Sequence, residues 1–198
     1  MKQPRLCFIG ITPPETISAP ISQLKQEIST RFGTTHALKS PPHITLQPPF
    51  EWPSEDDNTL CRTLENFASQ QKPFSLTLDD FGFFGKRVVF IKIAEHQPVL
   101  TLHHHFLQSV ADKLPIKAPG NAREIHPHIT LATRDLDDES FALIRHYIAG
   151  KTCRAQIIVD SVVLFRHHDK KWERSAEFFF RTSTYGHPNS LPLSDNCH

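Results

Sequence analysis

Two stretches of this chain are identical over five residues: Pro42-His43-Ile44-Thr45-Leu46 and Pro127-His128-Ile129-Thr130-Leu131. Simple pair counting expects such a repeat on the order of once in a hundred chains of this composition. Of the thirteen histidines, no other has a threonine two places on. Successive side chains of a β-strand point to opposite faces, so His and Thr share one face of each copy and Ile and Leu the other. The aliphatic pair anchors the strand, and the polar face offers an imidazole and a hydroxyl. Opposed across a cleft, the two copies supply two imidazoles and two hydroxyl donors. Displacement at a phosphodiester needs a base to take a proton from the nucleophile and an acid to protonate the departing oxygen. Imidazole, with an ordinary pKa of about 6.5, does either near neutrality. Threonine hydroxyls can donate to the non-bridging oxygens as charge gathers on them. His43, Thr45, His128 and Thr130 are therefore the candidate catalytic set. At period two the second strand continues through Ala132 to Arg134, a guanidinium suited to phosphate. The first continues to Gln47 and Pro49.

Other residues carry weaker signals. Phe83 and Phe84, between Gly82 and Gly85, offer a stacking platform for a nucleobase or a packed aromatic pair, and Phe50 poses the same choice. Arg87 opens a strand and suits phosphate or plain solvent, while Lys86 reads as solvated. His126 shares its face with His128 across Pro127. His103-His104-His105 has metal-ligand residue types but lies in a helical stretch, where neighbours point about 100° apart and cannot close on one ion. No metal site is assigned. His167-His168 reads as part of a polar hairpin turn.

The elements that must hold these residues follow from periodicity. Arg5–Ile11 is rich in β-formers and is stopped by Pro13-Pro14. Ile17, Ile21, Leu24, Ile28 and Phe32 recur at helical spacing and end at Gly33. A short strand boxed by Pro41-Pro42 and Pro48-Pro49 carries the first motif. Residues 56–70 read as a second helix, and 74–84 and 87–94 as two strands joined near Gly85. A helix over 99–114, a Pro/Gly loop over 115–123, a motif strand over 126–133 and a helix over 136–149 follow. Strands at 155–165 and 172–181 close the chain as a hairpin. Each half thus reads strand, helix, motif strand, helix, strand, a duplication of order. The hairpins imply antiparallel pairing, so the fold class is α+β: two similar lobes with antiparallel sheets and flanking helices, facing each other across a central cleft. Residues 1–182 form one bilobal domain with interleaved lobes, and 183–198 an irregular tail.

The chain has 198 residues, fifteen of them Phe, enough to bury a core. Twenty-two basic and twenty-one acidic residues give a formal charge of +1, which argues against a protein held to nucleic acid mainly by a broad basic field and leaves a local phosphate pocket open. Cys7, Cys61, Cys153 and Cys197 form no CxxC pair and read as reduced thiols. The apolar run Leu6–Ile11 is too short for a signal peptide, and no stretch nears the roughly 20 residues of a membrane span. The expectation is a cytoplasmic protein that does not enter membranes.

At its two motifs the chain resembles the 2H phosphoesterase superfamily, which includes 2′-5′ RNA ligase-like proteins and cyclic nucleotide phosphodiesterases. The family's two H-x-T/S-x motifs are matched by His43-Ile44-Thr45-Leu46 and His128-Ile129-Thr130-Leu131, 85 residues apart (128 − 43). The similarity extends over about residues 4–181, including FGFFGKRVVFIKI and the closing VVLFRHHDKKWERSAEFFF. It implies a LigT-like bilobal fold with pseudo-twofold symmetry and a positively charged cleft. It also implies metal-independent, cofactor-free opening of 2′,3′-cyclic phosphates on nucleotides or RNA ends, or cleavage of 2′-5′ linkages. The expected partner is a nucleotide or RNA end carrying a cyclic phosphate, and the expected state a monomer. Alternatives are 2′-5′ RNA ligation, a non-catalytic module that binds RNA ends, and a histidine-dependent metalloprotein. Loss of turnover without loss of binding in histidine variants separates the enzyme from the binding module. Stoichiometric zinc and sensitivity to chelators mark the metalloprotein.

Overall fold

The computed structural model describes residues 4–110 and 125–181. Eight strands form one antiparallel sheet: β1 (Arg5–Ile11), β2 (Ile44–Trp52), β3 (Phe74–Phe84), β4 (Val88–Ile93), β5 (His128–Thr133), β6 (Arg154–Val159), β7 (Ser161–His168) and β8 (Lys171–Phe179). Among the described residues four α-helices accompany the sheet: α1 (Glu15–Phe32), α2 (Asp57–Ala68), α3 (Gln97–Val110) and α4 (Asp138–Ile148). Among the described residues no helix is long and apolar enough to cross a membrane.

Helix α1 buries Ile21 and Ile28 on one face and ends where Gly33 takes φ +74°, its N–H donating to the Ser29 carbonyl. Only glycine adopts that left-handed conformation without a Cβ penalty, which is why the helix stops there. A reciprocal Asp137–Ser140 capping box starts α4.

The strand order β6-β3-β4-β5-β2-β1-β7-β8 resolves into two halves that meet at β5 and β2. Each motif strand lies at the centre with its leading strand beside it, β1 next to β2 and β4 next to β5. The helix that leads into each motif strand packs on the motif strand of the other half: α1 touches β5, and α3 touches β2. A further likeness lies in the register. Gly10 faces Thr45 and Ile9 faces Gln47, so Leu46 is an extra residue. In the same way Phe90 faces Thr130 and Val89 faces Ala132, so Leu131 is extra. Each His-x-Thr is followed at once by a bulge, a feature often found beside functional sites because it re-aims the residues after it.

The α+β expectation holds, the two halves sharing a single curled antiparallel sheet. The structure departs from the sequence expectations in four places. Residues 155–165 form two strands, because Asp160 interrupts them: β6 pairs with β3 at one edge, and β7 pairs with β1 and β8 in the other half. Pro48-Pro49 do not end the motif strand. They fall at a register shift between Cys7 and Ile9 of the partner, where their missing N–H groups cost no ladder bond. The last hairpin turns at Asp169-Lys170, both at positive φ, as a two-residue type I′ connection requires, and His167-His168 belong to the end of β7. The expected 115–123 loop and 183–198 tail lie outside the described residues, as does the end of the expected helix at 99–114. Cys7 and Cys153 carry free thiols, whereas Cys61 is disulfide-bonded, unlike the expected reduced thiol.

One core cluster runs through both halves. A smaller one, Phe8, Val163 and Phe165 with Trp172 against it, underlies the first motif.

Candidate active site

Ile44, Leu46, Ile129 and Leu131 are essentially fully buried, and the His and Thr of each motif are half-buried. The alternation expected from strand geometry therefore positions both motifs. Ile44 pairs with Ile129, which places the two polar faces on neighbouring strands.

His43 immediately precedes β2. Its ring lies 4.6 Å from that of Phe8 and 5.7 Å from that of Phe165. Its Nδ1 is 2.8 Å from the Pro41 carbonyl oxygen. A carbonyl oxygen only accepts, so Nδ1 carries the hydrogen and Nε2 of the neutral ring is the basic nitrogen. His128 repeats the arrangement, with Nδ1 2.5 Å from the carbonyl oxygen of His126. Its ring meets Phe84 edge-on at 5.1 Å and Phe90 at 5.1 Å. Each imidazole is thus fixed by the carbonyl two residues before it and by a pair of phenyl rings.

Burial lowers the pKa of His43 to about 4; the charges of Lys25 and His128 push the same way, and the Pro41 bond opposes them. Burial also lowers that of His128, helped by His126 and opposed by the bond to the His126 carbonyl. Both rings are neutral in the free protein near pH 7, and the charge of His128 is one of the influences that hold His43 down.

His43, Thr45, Thr130, Thr133 and Arg134 line a cleft of about 160 Å³, with Phe8 and Trp172 among its walls. His128 is not in that lining. It stands two residues before Thr130 on β5, beside His126. Ala132 does not share the Thr130 face, contrary to the period-two expectation. The Leu131 bulge turns Ala132 into the core and brings Thr133 to the cleft. Arg134 reaches it all the same from a left-handed residue at φ +68°, a conformation that costs a non-glycine residue about 1–2 kcal/mol. The next residue, Asp135, accepts hydrogen bonds at Oδ2 from the backbone N–H groups of Thr35 (2.7 Å) and His36 (2.8 Å). This contact ties the end of β5 to the 3₁₀ turn His36–Lys39, so His36 and Lys39 also line the cleft.

The aromatic candidates separate. Phe84 stacks on Phe90 at 4.2 Å and meets both His126 and His128 edge-on, which makes it a support for the second histidine. Phe83 lies on the other face of β3, edge-on to Phe141 at 5.5 Å with Arg145 over its ring, so it is no platform in the cleft. Phe50 packs against the main core and is also removed from the cleft. Arg87 is exposed in the β3–β4 turn, next to Val88, whose strand partner is Thr133, and it does not line the cleft. His126 is exposed; its backbone carbonyl, more than its ring, serves the site.

Gly82 contributes indirectly. A Cβ there would stand 2.7 Å from the Phe90 ring, so the absence of a side chain lets Phe90 lie where it supports His128.

Among the described residues no three His, Cys, Asp or Glu side chains come together as a metal site. His104 contacts Gln108 and His105 contacts Gln71, the separate directions expected of consecutive helical residues. Sequence reasoning missed Phe8, Trp172, Thr133, His36 and Lys39. Thr133 depends on a bulge, and the other four come from segments distant in sequence, with no local pattern to mark them.

The profile of the 2′-5′ RNA ligase superfamily matches residues 13–171. A Bacillus licheniformis protein classed as a phosphoesterase is 27% identical over 124 residues, covering 62% of this chain and 69% of that protein. The fold matches the crystal structure of Escherichia coli LigT complexed with 3′-AMP, with a TM-score of 0.63 and 19% identity, covering 91% of this chain and all of the other. A Thermus thermophilus structure matches with a TM-score of 0.63 and 22% identity, over 89% of this chain and 98% of that one. The chain belongs to the 2′-5′ RNA ligase superfamily.

Proposed function

We propose that the protein is a metal-independent phosphoesterase that opens 2′,3′-cyclic phosphates on nucleotides or RNA ends. Its four catalytic groups are His43, Thr45, His128 and Thr130, and the same groups can act on 2′-5′ linkages. The observation that carries this reading is the matched setting of the two histidines: each Nδ1 is committed to a carbonyl, so each Nε2 is the nitrogen left for proton transfer. One Nε2 takes a proton from water as the water oxygen bonds to phosphorus. The other, protonated, gives its proton to the ribose oxygen as the P–O bond to it breaks, and a phosphomonoester results. Because burial keeps both rings neutral in the free protein, the acid must gain its proton as the anionic substrate arrives; an anion nearby raises an imidazole pKa. Thr45 and Thr130 donate to the non-bridging oxygens, and Arg134 balances their charge.

Nucleotide recognition draws support from the LigT complex with 3′-AMP. The chemistry is tested with 2′,3′-cyclic mononucleotides and cyclic-ended oligonucleotides in the presence of EDTA, comparing the parent with His43→Ala and His128→Ala. The expected result is turnover that EDTA leaves intact and that each substitution lowers by at least about 10²-fold, with substrate binding kept. Undiminished turnover in either variant defeats the assignment, and chelator-sensitive turnover points to a metal enzyme.

A further inference from the structure

A larger cavity of about 470 Å³ adjoins the catalytic cleft and shares Lys39 and Ser40 with it. Lys25, Lys39 and Lys171 line it together with Ser22, Gln26 and Thr35, and its lining contains no carboxylate. Lys25 is 4% exposed and donates to the Ser40 carbonyl at 2.6 Å. Among the described residues that is its one hydrogen-bond partner, which leaves two of the three ammonium N–H donors unused. None of the three lysines has an ion-pair partner among the described residues. A chain of formal charge +1 thus gathers three unneutralised cations at the door of its cleft. Burial lowers the pKa of Lys25 to about 8, a cost that a bound anion relieves. The end of the β7–β8 hairpin spans both cavities, Trp172 facing the cleft and Lys171 the basic pocket.

We infer that this pocket holds the phosphodiester next to the reacting cyclic phosphate, so that the preferred substrate is an oligonucleotide end and not a cyclic mononucleotide. The inference rests on the catalytic reading above and adds a second phosphate site to it. A pocket lined by three lysines and no carboxylate suits a phosphodiester anion, and the Ser22 hydroxyl beside them can serve a non-bridging oxygen, the Thr35 hydroxyl being already given to Asp135. The shared wall at Lys39 and Ser40 puts the two phosphate positions next to each other, as they are along one strand.

The test compares three substrates: a 2′,3′-cyclic mononucleotide, a dinucleotide with the same cyclic end, and that dinucleotide with an uncharged methylphosphonate as its internal linkage. The charged dinucleotide is expected to exceed the mononucleotide in kcat/KM by about tenfold or more, and the methylphosphonate to lose most of that advantage. Lys171→Glu, at an exposed position, is expected to lower the dinucleotide-to-mononucleotide ratio by a similar factor. A ratio near one in the parent, or a methylphosphonate as good as the diester, overturns the inference. Millimolar inorganic phosphate is expected to compete with the dinucleotide; acceleration of mononucleotide turnover by phosphate assigns the pocket to a free anion and overturns the strand assignment. If no cyclic phosphate is opened at all, the catalytic reading has failed. The pocket is then judged by Kd for the dinucleotide 3′-phosphate: a tenfold preference for the diester over the methylphosphonate sustains it, and equal affinities end it.

Discussion

Ile44 of β2 is paired with Ile129 of β5 across the middle of the sheet, the single point at which the two strands are in register. Both side chains are fully buried, and each sits between the histidine and the threonine of its own motif. Two backbone segments of one sheet therefore hold all four candidate catalytic side chains, a more rigid mounting than loops provide.

Shortening one of these anchors is expected to cost stability and turnover together. Ile129→Ala removes a buried aliphatic group beside the joint and lowers unfolding free energy by about 2–5 kcal/mol, while Ile129→Val costs about 0.5–1.5 kcal/mol. Urea denaturation gives the first quantity. Turnover per folded molecule gives the second, and it should fall in the Ala variant because β5 carries His128 and Thr130. Stability equal to the parent's removes the joint from the account.

His43, half-buried and with its charged form disfavoured by desolvation, links stability to pH. Its folded pKa lies at about 4, below the unfolded value of about 6.5. Between these values the unfolded chain binds the proton more readily, so stability rises with pH across that window. The contribution is fully present above pH 6.5 and is lost as pH falls toward 4, up to about 3 kcal/mol. His43→Gln keeps a polar group there without the titration. Denaturant midpoints at pH 7.5 and 4.5 should draw closer together in this variant than in the parent, and unchanged spacing contradicts the burial of a neutral ring.

The motif strands, α1 and the helices at residues 57–68 and 138–148 were legible because hydrophobic period and breakers agree in them: Ile44 and Leu46 against His43 and Thr45, Ile21 and Ile28 closed by Gly33. What stayed hidden depends on long-range pairing. Nothing local tells residues 155–165 that Asp160 divides two strands in opposite halves of the sheet. The bulges at Leu46 and Leu131 look in sequence like ordinary strand positions, so period-two counting chose Ala132 where the structure puts Thr133 in the cleft. Phe83 and Phe84 are adjacent, and only the pairing of β3 says which one faces His128.

The hydroxyls lining the cleft should rank by position. Thr45→Val and Thr130→Val remove donors from the two motifs and are expected to lower kcat by about 10²-fold each, the scale of losing one donor to developing negative charge. Thr133, one bulge further on, is expected to cost about tenfold as Thr133→Val. Arg134→Gln should act mainly through KM, because its charge meets the phosphate in the ground state as well. Steady-state kinetics on a cyclic-ended dinucleotide measures all four. A Thr133 variant as impaired as the Thr130 variant contradicts the ranking.

Phe84 and Phe83 give a test in which neighbours in sequence have different fates. Phe84 meets His128 edge-on at 5.1 Å and stacks on Phe90, the other ring against that histidine. Removing it leaves His128 its carbonyl bond but takes away one of its two phenyl supports, and an imidazole free to tilt spends less time aligned with a leaving oxygen. Phe84→Ala is expected to lower kcat by about tenfold, and Phe84→Leu, which refills part of the volume, by less. Phe83 packs on Phe141 of α4, on the other face of the same strand. Phe83→Ala is expected to lower stability by about 1–3 kcal/mol and to leave kcat/KM within about twofold. If the two alanine variants exchange these effects, β3 presents its other face to the second histidine.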